Sequence, residues 1–82
     1  MFEIVVTGKA EKDFKKLGPN TGLHIAKKLK EYSTNPFLHA KKLTDAMLGA
    51  YRFRIGNYRV IADIEENKII VLRVGHRKDI YK

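Results

Sequence analysis

The chain has 82 residues, and its 17 Lys and Arg against 9 Asp and Glu give a formal net charge of +8. It contains no Cys, which excludes a disulfide framework, thiolate catalysis and a zinc site built on Cys. Because a chain of this size buries only about 60% of its unfolded surface, we expect one domain over residues 1–82, with its chemistry on a face.

The longest aliphatic run is Ile69–Leu72, far shorter than the roughly 20 apolar residues of a membrane span. The start, Met1-Phe2-Glu3, lacks an export signal. We therefore predict a soluble cytoplasmic protein with no membrane partner. The excess positive charge favours a polyanion as partner, with nucleic acid as the first candidate, unless the charge serves only solubility.

The first half of the chain predicts one strand and two helices. Residues 2–7 are apolar and β-branched enough for a strand, and apolar residues then recur at helical spacing from Lys9. Gly18-Pro19 stops this first helix. A second helix begins near Asn20 or Thr21, either of which can cap it, and ends at Asn35-Pro36.

The stretch from Phe37 to Ala50 has no clear period. We expect a loop there, with at most a helical turn, and assign it no function. Its larger apolar residues should attach it to the core: Leu38, Leu43, Met47 and Leu48.

From Tyr51 the period becomes two, which predicts three strands in a meander. Gly56-Asn57 has the turn chemistry of a two-residue hairpin. A second turn at Glu66-Asn67 precedes the last strand, Lys68–Gly75, and we expect three residues in that turn. That register puts the following residues in the core: Ile70, Leu72 and Val74.

The predicted fold is α+β, in the order β-α-α-β-β-β, with two helices packed on one face of an antiparallel sheet.

The Arg residues all follow Tyr51, whereas most Lys residues precede it. A two-residue hairpin loop places Arg54 directly opposite Arg59 on one face of the sheet. Like charges in this position destabilise the ladder, and an Arg fork binds phosphate through two parallel hydrogen bonds. The pattern therefore predicts an anion site; the alternative is a solvated face with Asp63 or Asp79 as ion-pair partners.

The polar tail can fold over the same face and bring His76, Arg77 and Tyr81 to it. An aromatic ring beside Arg can hold a single-stranded base and its phosphate. As alternatives, Tyr81 anchors the tail to the core and His76 is hydrogen-bonded to the backbone. The three His residues lack the spacing of metal ligands, so we predict no metal and no cofactor.

Two segments resemble the RelE branch of the RelE/ParE toxin superfamily: Tyr51-Arg52-Phe53-Arg54-Ile55-Gly56-Asn57-Tyr58-Arg59-Val60-Ile61 and Val74-Gly75-His76-Arg77-Lys78-Asp79-Ile80-Tyr81. The order of the predicted elements is also similar. The resemblance implies the toxin of a type II toxin–antitoxin system, which enters the ribosomal A site and cuts mRNA. The implied reaction is metal-free: a ribose 2'-hydroxyl attacks the adjacent phosphate. It also implies a cognate antitoxin, which the charge of this chain predicts to be acidic and partly disordered.

The resemblance also implies roles for individual residues. Arg52 and Arg54 match the two basic residues of the first meander strand, Arg59 matches the Arg of the return strand, and Arg77 and Tyr81 match the Arg and Tyr of the tail. Position 54 is Arg where the best-known members have a Lys proposed as general base. Because Arg is a poor base near neutral pH, His76 is the hypothetical proton-transfer group.

Two other functions stay open. One is a ParE-like toxin that inhibits DNA gyrase and does not cut RNA. The other is a catalytically degenerate homologue that only binds RNA or its antitoxin.

Overall fold

The computed structural model describes residues 1–44 and 49–80. Within them the chain forms five strands and two α-helices, with a short 3-10 helix at Pro36–Leu38. The elements, in chain order, are β1 (Glu3–Val6), α1 (Gly8–Leu17), α2 (Pro19–Tyr32), β2 (Ala40–Lys42), β3 (Tyr51–Ile55), β4 (Tyr58–Glu65) and β5 (Lys68–His76). In the described part of the chain, no helix has the length and apolar character needed to cross a membrane.

The strands form one sheet in the order β1-β5-β4-β3-β2. The predicted α+β fold and the antiparallel meander β3-β4-β5 are confirmed. Two features were not predicted: β2 pairs antiparallel with β3 at one edge, and β1 pairs parallel with β5 at the other. The helical hairpin between β1 and the meander carries the chain across one face of the sheet, so β1 can join the far side of β5.

The helix ends have clear local causes. The hydroxyl oxygen of Thr7 accepts a hydrogen bond from the N–H of Ala10 at 3.3 Å and so caps α1. The second helix begins earlier than predicted, at Pro19, with Gly18 at its N-cap in a positive-φ conformation (87°). Asn20 and Thr21 lie inside the first turn, so the prediction that one of them is the cap is wrong. Pro suits a first helical position because its fixed φ is already helical.

The core lies between the two helices and one face of the sheet. Ala10 of α1 and Ile25 and Leu29 of α2 pack against residues of the three meander strands. The buried sheet residues of this cluster are Phe53, Ile55, Val60, Ala62, Ile69, Val71 and Val74. Their alternation along each strand leaves the intervening side chains on the opposite face.

The turn between β4 and β5 differs from the prediction. Glu65 pairs with Lys68, so the turn has two residues, Glu66 and Asn67, which both have positive φ (50° and 63°). This is the pattern of a type I′ turn, whose twist matches that of the strands. The predicted three-residue turn is wrong.

A β-bulge in β5 shifts the pairing of β4 with β5 by one residue from the register that the two-residue turn sets. Ala62 pairs with Val71 but Ile61 pairs with Arg73, so Leu72 is an extra residue on β5. Before the bulge Ile69 and Val71 face the core, and after it Val74 does. Ile70 and Leu72, which we expected in the core, are half-buried.

The chain between β2 and β3 covers part of the sheet face that lies away from the helices. The N–H of Ala50 donates to the carboxylate of Asp63 at 3.0 Å, and Gly49 lies against Ile61 and Leu72 so closely that a Cβ would be 2.7 Å from Ile61 Cγ2. This explains why Ile61 is fully buried on the face without helices. Leu43 is half-buried, Leu38 is 75% exposed and so does not attach the loop to the core, and Met47 and Leu48 lie outside the described residues.

A buried carboxylate ties α1 to β5 just after the bulge. Asp13 accepts hydrogen bonds from the Arg73 side chain (Nε to Oδ2, 2.8 Å) and from the N–H of Val74 (3.0 Å). Burial by itself would raise the pKa of Asp13. The hydrogen bonds from Arg73 and Val74 and the charges of Arg73 and Lys16 outweigh burial and hold that pKa below its usual value of 3.8.

We predict that Asp13→Asn destabilises the fold by about 1–3 kcal/mol near neutral pH, because the buried N–H of Val74 loses a charged acceptor. The difference should depend on pH. Since folding lowers the pKa of Asp13, its stabilising effect is complete above the unfolded-state pKa of about 4 and is lost as pH falls through the folded-state pKa.

The measurement is urea unfolding of both proteins at several pH values between neutral and strongly acidic. Glu11→Gln is the control, because Glu11 is an exposed carboxylate of the same helix. A difference between wild type and Asp13→Asn that stays constant down to the lowest pH would contradict this account.

Candidate anion-binding site

The sheet face opposite the helices carries a set of positive side chains. Directly paired residues of an antiparallel ladder point to the same face. Arg54 pairs with Arg59 across β3 and β4, and Arg52 pairs with Ile61. The predicted hairpin register is therefore confirmed, and we call the face that carries Arg52, Arg54 and Arg59 the Arg face.

The β3–β4 turn sets this register. Ile55 pairs with Tyr58, so only Gly56 and Asn57 lie between the strands. Gly56 has a φ of 58°, a conformation that Gly adopts without the strain a Cβ would cause. A longer loop would move Arg59 out of line with Arg54.

Arg59 is held rigidly at the turn. Only 7% of the residue is exposed, and its Nη1 donates to the carbonyl oxygens of Gly56 and Tyr58, both at 2.9 Å. These bonds fix the guanidinium before any ligand arrives. A preorganised cation of this kind stabilises developing negative charge without a cost of reorganisation.

Arg52 and Arg54 are held less tightly. Arg54 is exposed and Arg52 is half-buried, and no carboxylate of the described residues forms an ion pair with either. The Nε of Arg52 is buried, and no described residue accepts a hydrogen bond from it. Both side chains therefore have donors for an anionic ligand.

The end of β5 brings Arg77 and the tail to the β3–β4 turn. The N–H of Arg77 donates to the carbonyl oxygen of Asn57 at 2.8 Å. The N–H groups of Asp79 and Ile80 both donate to the carbonyl oxygen of His76. The tail thus turns back on itself, and Ile80 packs against Gly75, where a Cβ would be 3.2 Å from Ile80 Cδ1.

Because Gly75 pairs with Arg59, this contact puts Ile80 on the Arg face. The next residue, Tyr81, lies outside the described residues.

His76 is not brought to the Arg face. It pairs with Tyr58, whose side chain packs against the core, so the alternation of the strand puts His76 on the helix side. The two rings lie 5.6 Å apart, edge to face. His76 Nδ1 accepts a hydrogen bond from the N–H of Lys78 at 3.1 Å, which is the backbone contact given above as the alternative.

The structure adds to the Arg face one cation that the sequence pattern did not indicate, and it pairs a second cation near this face with a carboxylate. Lys41 on β2 pairs with Arg52 and so lies on the Arg face. Arg73 pairs with Ile61 in the same ladder, but its side chain is bound to Asp13. Alternation over the three residues of β2 is too short a signal to find Lys41 from the sequence. Of the described residues, no three His, Asp or Glu lie together as metal ligands would.

The comparisons with known proteins agree with this fold. The family model for the ParE toxin of the type II toxin–antitoxin system parDE matches residues 4–81. The toxin RelG of Mycobacterium tuberculosis (strain ATCC 25618 / H37Rv) is 30% identical over 84 residues, which cover 99% of this chain and 97% of RelG.

Solved structures give the same result. A chain of the M. tuberculosis toxin–antitoxin complex RelBE2 superposes with a TM-score of 0.83 at 26% identity, over 93% of this chain and 98% of that one. In the RelB–RelE complex from Methanococcus jannaschii the matching chain is 32% identical, with a TM-score of 0.62 and 94% of each chain covered. A mutant of the E. coli toxin RelE in the free state has a TM-score of 0.76 at 24% identity, over 98% of this chain and 90% of that one.

The family match and the toxins among these relatives give the class of protein: a toxin of a type II toxin–antitoxin system with a RelE-like fold. This chain belongs to the ParE toxin family of type II toxin–antitoxin systems, within the RelE/ParE superfamily.

The Arg54–Arg59 pair leads to a stability prediction. Arg54→Glu should stabilise the fold by up to about 1 kcal/mol, because it replaces a repulsive cross-strand pair with an attractive one. The change should raise the melting temperature by several degrees. Lys27→Glu is the control, since it makes the same change in net charge at an exposed position of α2. Equal melting temperatures for the two variants would contradict the assigned repulsion.

Proposed function

We propose that this toxin is an endoribonuclease that cuts mRNA in the ribosomal A site and so inhibits translation in the cytoplasm. The observation that supports it best is the like-charge pair Arg54 and Arg59, whose two guanidinium groups lie on one face of the sheet as a bound phosphate requires. The similarity to RelG and to a chain of the RelB–RelE complex from M. jannaschii supports the same branch of the superfamily.

In the proposed reaction the ribose 2'-hydroxyl attacks the adjacent phosphorus, the bond to the 5'-oxygen breaks, and the products end in a 2',3'-cyclic phosphate and a 5'-hydroxyl. The attacking hydroxyl loses a proton and the leaving oxygen gains one. Arg52 and Arg59 stabilise the charge on the pentacoordinate transition state, with Arg54 beside them. Arg77 acts near the leaving oxygen, and Tyr81 stacks on a base and keeps the nucleotide in line.

Two roles are open to His76. As a proton-transfer group it would serve the attacking or the leaving oxygen. As a structural residue it would fix the turn after β5 through its bond to Lys78, and its position beside Tyr58 on the helix side favours this second role. A cleavage rate that is unchanged in His76→Ala would establish the structural role, whereas a lost limb of the pH–rate profile would establish proton transfer.

The partner we propose is a cognate antitoxin whose acidic, partly disordered segment folds onto the Arg face. Three of the structural relatives are toxin–antitoxin complexes of the RelB–RelE type. A net charge of +8 and an open cationic face favour such a segment, which would both block RNA and relieve the repulsion between the Arg side chains.

The family match gives specific support to a second candidate. The matching family model is that of ParE, and a ParE-like toxin would inhibit DNA gyrase without cutting RNA. Such a toxin has no need for a rigid Arg59 opposite Arg54. A third possibility is a homologue that binds RNA or its antitoxin without catalysis, in which case these substitutions would change affinity alone.

The test is a reconstituted translation reaction in which mRNA 5' ends are mapped by primer extension. We expect ribosome-dependent cuts, and we expect Arg54→Ala and Arg77→Ala to slow them about 100-fold to 1,000-fold, the loss typical of one donor to a developing oxyanion. Lys78→Ala is the matched control, because it removes the same charge from the residue next to Arg77.

Intact mRNA and unimpaired translation, together with inhibited gyrase supercoiling, would favour the gyrase inhibitor instead.

A further inference from the structure

The edge strand β2 extends the Arg face by one cation. Its three residues alternate: Ala40 packs against the core cluster, and Lys41 and Lys42 are exposed. Lys41 pairs with Arg52, whereas Lys42 pairs with Tyr51. The two Lys side chains therefore leave the strand on opposite faces, and only Lys41 joins the Arg face.

Two like-charge pairs now lie side by side. Lys41 faces Arg52 across β2 and β3, and Arg54 faces Arg59 across β3 and β4. Each pair is repulsive, and no carboxylate of the described residues forms an ion pair with Lys41 or Arg52. The positive charge is thus a strip across three strands rather than a single point.

The strip is too long for one phosphate. β2 and β4 are two strand spacings apart, which is about 9.6 Å. A phosphate bound midway between Arg54 and Arg59 is about 7 Å from β2 across the strands and about 7 Å from the Lys41–Arg52 pair along them, so it lies roughly 10 Å from Lys41. Grooves that bind single-stranded nucleic acid use rows of cations that follow successive phosphates.

We propose that Lys41 is a second phosphate subsite, which binds a phosphate adjacent to the one held at Arg54 and Arg59. The RNA strand then crosses the sheet from β2 to β4. Lys41 is a positioning residue, because it holds the substrate away from the reacting phosphate. The inference rests on the proposed function, since it assumes that the ligand of the Arg face is RNA.

Another role for Lys41 is to protect a sheet edge from pairing with other chains, as edge Lys residues do. Lys42 could serve this purpose equally well, because it lies on the same short strand with the same charge and exposure. The two Lys residues therefore form a matched pair in which only the sheet face differs.

The test compares Lys41→Ala with Lys42→Ala, using a 2'-O-methylated single-stranded octanucleotide that cannot undergo 2'-hydroxyl attack. Its affinity is measured by fluorescence anisotropy over a range of salt concentrations. We expect Lys41→Ala to bind about tenfold more weakly at low salt and to reduce the slope of log K against log salt by about 0.7, the value for one lost phosphate contact. Lys42→Ala should match wild type, and Lys41→Arg should restore binding.

Two further measurements exclude a merely structural effect. A dinucleoside monophosphate, which has a single phosphate, should bind wild type and Lys41→Ala equally. In the cleavage reaction Lys41→Ala should raise KM and leave kcat unchanged.

Equal affinities and salt slopes for Lys41→Ala and Lys42→Ala, with binding still lost in Arg54→Ala, would overturn the second subsite alone. Octanucleotide binding that none of these variants weakens would overturn the proposed function as well. A Lys41→Ala protein that binds RNA normally but binds its antitoxin weakly would show that Lys41 serves the protein partner, which also overturns the subsite.

Discussion

Arg54 and Arg59 face each other across the β3–β4 ladder, and the turn between them permits no other register. The loop has two residues, and Gly56 takes the positive φ that such a short loop requires. The same register sends Phe53 and Val60 to the core and their Arg neighbours to the open face. Any shift that relieved the repulsion would also expose the core, because a slip of one residue exchanges the two faces of a strand.

Other contacts of the fold pack the chain around this cationic face. Asp13 ties α1 to the far end of β5 and binds the guanidinium of Arg73, which is the β5 partner of Ile61. Gly49 brings the chain close enough to bury Ile61 beside the charged residues. Ile80 packs directly against Gly75, which has no side chain to obstruct the contact. These contacts surround the Arg face with packed structure and leave Arg54 open to a ligand.

Sequence alone was sufficient where a local signal decides the structure. Gly56-Asn57 and the alternation around it predict both the hairpin and the facing pair Arg54 and Arg59. The sequence was insufficient where a tertiary interaction decides the local structure. The bulge at Leu72 depends on pairing with β4, and β2 is only three residues long, so Lys41 gave no signal. His76 was expected beside the Arg residues, but its pairing with Tyr58 puts it on the helix side.

The most direct test of phosphate binding at the Arg face observes the Arg side chains themselves. The Nε–H signals of Arg52, Arg54, Arg59 and Arg73 can be followed by NMR while a 2'-O-methylated dinucleoside monophosphate is added. We expect the signals of Arg52, Arg54 and Arg59 to shift together, while that of Arg73 stays in place because Asp13 already holds it. Unchanged signals on the Arg face, or a shift of Arg73 alone, would contradict the claim that this face binds a phosphate.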